Sequence, residues 1–117
     1  MEAARKILDR ISTEACAELA LELGKIYSPW GQEGDAAEHT FQWLTRHGIE
    51  AEKIGMFADR PNILGRLRGS GSGPSLIFNA HLDHAHSRDA KWLLRNPDDP
   101  ALTSAWRQGS RLYGQAW

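Results

Sequence analysis

The chain has 117 residues, 41% of them hydrophobic and 25% charged, in the range of an ordinary globular domain or a part of one. Its 14 basic and 15 acidic residues leave a net charge of −1, so no basic excess exists to neutralise nucleic-acid phosphates or to hold an anionic membrane surface. No apolar run approaches the roughly 20 residues of a membrane span. The opening MEAARKILDR is charged and lacks the apolar stretch of a signal peptide, so a cytoplasmic location is expected. A single cysteine, Cys16, has no internal disulfide partner, which suits a reducing compartment, and between Ala15 and Ala17 it reads as a small packed helix residue.

In chain order, Glu2 to about Ile26 reads as helix, with Ile7/Ile11 and Leu19/Leu23 each four apart on one face. Tyr27 to Gly31 is a loop, because Pro29 disfavours helix in the residue before it. A second helix is predicted from about Asp35 to His47, with Ala37, Phe41 and Leu44 apolar, acidic residues at its start and Gly48 as its stop. Three strands follow: Ile49 to Phe57, Asn62 to Arg68, and Ser75 to Leu82. The run Leu76-Ile77-Phe78 suits a strand buried on both faces. The Gly69 to Pro74 turn makes the second and third strands a hairpin. Beyond His84, Lys91 to Arg95 and Ala101 to Arg107 read as short helical turns and Arg111 to Tyr113 as a short strand. Helices followed by strands that do not alternate with them predict an α/β domain with a mixed sheet.

The sharpest chemical signal is Asn79-Ala80-His81-Leu82-Asp83 at the end of the most apolar strand, where ligand-binding residues of open α/β sheets gather. Residues two apart on a strand share a face, so His81 and Asp83 project together. A neutral imidazole is a good zinc ligand, and a carboxylate beside it fixes its tautomer. Standing alone, His-x-Asp is a weak signal and reads first as a hydrogen-bonded strand-end pair.

The wider pattern resembles the N-terminal part of the M20 metallopeptidase and deacylase family, which includes acetylornithine deacetylases, succinyl-diaminopimelate desuccinylases, aminoacylases and several carboxypeptidases. The resemblance is carried in order by Ser28-Pro29-Trp30-Gly31-Gln32-Glu33, by Leu44-Thr45-Arg46-His47-Gly48-Ile49 and by Arg60 to Gly69. Leu76 to Asp83 follows as the first metal motif, and Gly109 to Gly114 as the approach to a second. It implies the N-terminal portion, spanning 1–117, of a zinc-exopeptidase-like catalytic domain without the family's lid and dimerisation domain. In it His81 is a metal ligand and Asp83 the acidic residue that supports the metal centre. The family uses two zinc ions to activate water against the amide bond of N-acyl amino acids or small peptides. The stretch after Tyr113 departs from the pattern, with Ala116 where a second glycine is usual, and it stops before the metal-bridging aspartate. The general base and the other ligands are likewise expected beyond it. Catalytic zinc normally takes three protein ligands, so this polypeptide alone is expected to be inactive.

Two other readings compete. One is a non-catalytic interaction module, whose exposed sheet edge and tryptophans await a partner; an incomplete sheet also predicts poor solubility. The other is a metal-binding cluster of His81, Asp83, His84 and His86, although His84 and His86 are better read as exposed loop residues. His39 and His47 read as surface helix residues, the Gly69 to Gly73 run as a hairpin turn, Asp98-Asp99 as a solvated turn, and Ser28 as loop. The five tryptophans, Trp30, Trp43, Trp92, Trp106 and Trp117, lack basic interleaving and read as packing residues.

Overall fold

The computed structural model describes residues 2–84 and 104–114. The elements in order are α1 (Glu2–Leu8), α2 (Thr13–Lys25), α3 (Gly34–Arg46), β1 (Glu50–Ile54), β2 (Asn62–Arg66), β3 (Trp106–Gln108) and β4 (Arg111–Tyr113). They form two compact units, one from α1, α2, β3 and β4, the other from 26–84 with α3, β1 and β2. The architecture is α/β, with helices preceding small antiparallel sheets. Among the described residues the strands make two separate antiparallel ribbons, β1–β2 and β3–β4, and not one mixed sheet. Parallel pairing is confined there to an isolated bridge between Pro29 and His84.

In the first unit, the helix expected from Glu2 to Ile26 is two helices. The amides of Arg10 and Ile11 bond to carbonyls three residues back, tightening the end of α1. Ser12 then starts a new helix, its hydroxyl accepting the Ala15 amide at 3.1 Å. A serine at a helix start satisfies an amide that the helix itself leaves orphaned, and this local bond outcompetes continuation of α1. The break removes Ile11 from any shared face with Ile7, and both are exposed. Cys16, expected to be packed, is exposed on α2, which has no buried residue. The segment expected as a helical turn through Arg107 is instead β3 from Trp106 onward. Gly109 at φ 60° allows a two-residue hairpin back into β4, which matches the strand expected at Arg111 to Tyr113. Trp106 stacks on Tyr113 across the ribbon, with centroids 4.3 Å apart. Arg107 pairs with Glu14 of α2. The stretch Lys91 to Arg95 lies outside the described residues, as do His86, Trp92, Trp117, Asp98 and Asp99.

In the second unit, α3 ends where the sequence predicts. The amides of Gly48 and Ile49 bond back to the carbonyls of Thr45 and Leu44 at 3.0 Å each, and Gly48 takes φ 72°. This pair of bonds closes a helix through a left-handed residue that glycine adopts without steric cost. Ala36 and Ala37 are buried. Leu44 and Ile49 come together against Gly65 of β2, where an added Cβ would lie 3.2 Å from Leu44 Cδ1. Antiparallel pairing from Glu50↔Arg66 to Ile54↔Asn62 puts Lys53 beside α3. There its ammonium bonds to Glu38 and lies 4.8 Å from the Phe41 ring centroid. Arg66 and Arg68 pair with Glu52 and Glu50 at 3.1 and 3.8 Å. These exposed pairs contribute little individually, on the order of 0–1 kcal/mol.

The third expected strand does not form. Ser75 to Leu82 is irregular, and β2 pairs with β1 and not with it. Leu76, Ile77 and Phe78 are 77%, 85% and 90% exposed. A run that is apolar on both faces gains from strand formation only when layers cover both faces, and the described residues supply neither.

Candidate functional site

The Ser28 loop and the 81–84 segment are held together by a short lattice of hydrogen bonds. The Ser28 amide donates to His84 Nε2 at 3.0 Å, and the His84 amide donates to the Ser28 carbonyl at 2.8 Å. The Ser28 hydroxyl, on a residue only 3% exposed, donates to the Leu82 carbonyl at 2.8 Å. Tyr27 meets the His84 ring edge-on, with centroids 5.6 Å apart. This corrects the reading of His84 as an exposed loop residue. It is half-buried, because its imidazole satisfies a main-chain amide that loop geometry cannot satisfy itself. Since Nε2 accepts, Nδ1 carries the hydrogen of the neutral ring; it is buried and has no hydrogen-bond partner among the described residues. Ser28, set aside as plain loop, is the centre of this clasp. Its signal was legible only as a small polar residue before Pro29, which gives no hint of a partner 56 positions away.

The far side of the same loop is braced separately. Glu33 accepts the Gly31 amide at 2.7 Å and pairs with Arg60 at 3.4 Å. The Arg60 guanidinium lies over the rings of Trp30 and Phe57, 5.6 and 5.0 Å from their centroids. Trp30 is 78% exposed, so it is not the packing residue expected. Arginine covers one of its faces and leaves the rest to solvent.

Beyond the clasp, His81 and Asp83 meet. His81 Nδ1 lies 2.8 Å from the Asp83 carbonyl oxygen and 3.2 Å from its carboxylate Oδ1. Both oxygens only accept hydrogen bonds, so Nδ1 must be the protonated nitrogen of the neutral ring. Nε2 is left with its lone pair, on a side chain 82% exposed. The carboxylate is more sheltered, at 35%. An imidazole whose Nδ1–H is held by a carboxylate and a carbonyl is oriented as a metal ligand through Nε2.

The four-residue cluster imagined from His81, Asp83, His84 and His86 is not assembled from what is described. His84 Nε2 is engaged by Ser28, and His86 lies outside the described residues. Among the described residues no group of three or more His, Cys, Asp or Glu side chains could together hold a metal ion. Of the other histidines, His47 is an exposed end-of-helix residue, its Nδ1 2.7 Å from the Trp43 carbonyl and its ring stacked on the Trp43 indole at 3.9 Å. No helix among the described residues is long and apolar enough to cross a membrane. No protein-family model matches the chain.

Proposed function

We propose that His81 and Asp83 form one limb of a zinc-dependent amidohydrolase centre of the M20 metallopeptidase and deacylase type. The full site would act on N-acyl amino acids or small peptides. The observation that carries this reading is the placement of His81 Nδ1 against the carbonyl and carboxylate oxygens of Asp83, which assigns the hydrogen of the neutral ring to Nδ1 and leaves Nε2 open. The donor set fits zinc for one ligand. The carboxylates and imidazoles that complete a two-zinc site are proposed to come from outside the described residues. Bound there, zinc would lower the pKa of a water molecule and polarise the scissile carbonyl. The chain's own contribution is positional. In the neutral ring Asp83 places the hydrogen on Nδ1 and fixes the plane of the ring, and the Ser28–His84 clasp holds the backbone of the 82–84 segment.

Histidine side-chain nitrogen NMR with zinc titration tests this reading. His81 is expected in the Nδ1–H form, and its Nε2 resonance is expected to move on adding zinc, weakly and in fast exchange. Asp83→Asn, whose amide can offer a donor instead of an acceptor, should mix the tautomers and blunt the zinc response. An Nε2–H tautomer at His81, or zinc shifts confined to His39 and His47, would sink the proposal. A second reading, a non-catalytic interaction module, is favoured by the exposure of Leu76 to Phe78.

A further inference from the structure

Ser75 to Ala80 combines three properties. Its apolar centre is 77–90% exposed; from Leu76 to Ala80 its backbone has no hydrogen-bond partner among the described residues; and no residue from Gly69 to Ala80 is charged. Proteins usually protect such segments with a lysine, a proline or a covering element. Pro74 lies outside the apolar core of this one, and no charge interrupts it. The order of residues is also self-complementary. Antiparallel pairing about Ile77 sets Ile77 against its own copy, Leu76 against Phe78, and Ser75 against Asn79. Every apolar residue then faces an apolar one, and the polar pair can hydrogen-bond. The parallel alternative gives up the more favourable antiparallel ladder, and two-fold symmetry of this kind is the commonest route to a homodimer.

We propose that this segment is a homotypic docking strand, and that its occupant is the same segment of a second copy paired antiparallel about Ile77. The contact is small, below the roughly 1,200 Å² of a stable interface, so association is weak and concentration-dependent. Each added copy leaves one edge open, so larger species follow the dimer. The inference is independent of the zinc reading. In this register each His81 lies four residues beyond the axis, so the two imidazoles are roughly 27 Å apart along the strands and cannot share one ion.

Sedimentation velocity from micromolar to roughly 1 mM protein, the range in which exposed edges associate, provides the test. The chain should self-associate equally with zinc and with a chelator. Because Ile77 sits on the axis, Ile77→Lys sets ammonium against ammonium and should weaken association by roughly tenfold or more. Ile77→Glu should do the same with carboxylates. An equimolar mixture of the two variants should associate again, since opposite charges then meet. The residue is exposed, so both variants should keep the wild-type circular dichroism spectrum. A chain that stays monomeric throughout, an Ile77→Lys variant that associates like wild type, or a mixture that fails to recover would each overturn the proposal. Association that requires zinc and is lost in His81→Ala would replace it with a metal-bridged dimer.

Discussion

At the residue scale, the structure turns on atoms whose partners are far away in sequence. His81 and Asp83 are among the exceptions, since a two-residue offset brings an imidazole and a carboxylate to 3.2 Å. Their pairing was legible because it is local. Gly34 is the opposite case. It opens α3, and a Cβ built there would lie 2.3 Å from the carbonyl oxygen of Asp59, an approach only glycine permits. Gly34→Ala must therefore displace main chain and not a yielding side chain. The expected destabilisation is roughly 1–3 kcal/mol, the range for forced overpacking. Urea denaturation checks it, and a midpoint equal to wild type would show that the 57–60 turn moves freely.

At the element scale, α3 and the β1–β2 ribbon hold together through Leu44 and Ile49 over Gly65 and through the Lys53–Glu38 bond. The Lys53 ammonium, and next the Gln42 amide, hold the Glu38 carboxyl below its ordinary value of 4.5. In the other unit the Arg107 guanidinium lowers Glu14 in the same way. A carboxyl more acidic when folded binds fewer protons in the folded state than in the unfolded one. Its stabilisation is present above pH 4.5 and is lost as pH falls through the folded value. Both groups are exposed, so the effect is small and screened by salt. Lys53→Met should flatten the loss of stability of the α3–β1–β2 unit below pH 4.5, read from urea midpoints in low salt. An unchanged pH slope would mean that Glu38 is not held by Lys53 in solution. The ends of α3 were readable in the sequence, because acidic residues at a helix start and a left-handed glycine at its stop act within one turn. The break after α1 turned on Ser12, a helix-starting residue that the longer apolar spacing obscured.

At the scale of the whole molecule, the Ser28–His84 clasp ties the loop before α3 to the segment carrying the candidate metal ligand. Ser28→Ala removes the hydroxyl and leaves the Leu82 carbonyl without that donor in a sheltered position. The expected cost is about 1–3 kcal/mol, the penalty for stranding a buried polar group. Hydrogen exchange should report faster exchange at the His84 amide, which donates to the Ser28 carbonyl. Protection at His84 equal to wild type would show that the two remaining bonds suffice.

The sequence by itself determined where α3 starts and stops, the β4 strand and the His81–Asp83 pair. Each depends on forces that act within a few residues. Tertiary structure alone decided that Ser28 and His84 are partners, that Trp30 caps an arginine in place of filling a core, and that Leu76 to Phe78 stands uncovered. An apolar run states that burial is favourable, but only the presence or absence of a covering layer decides whether burial occurs.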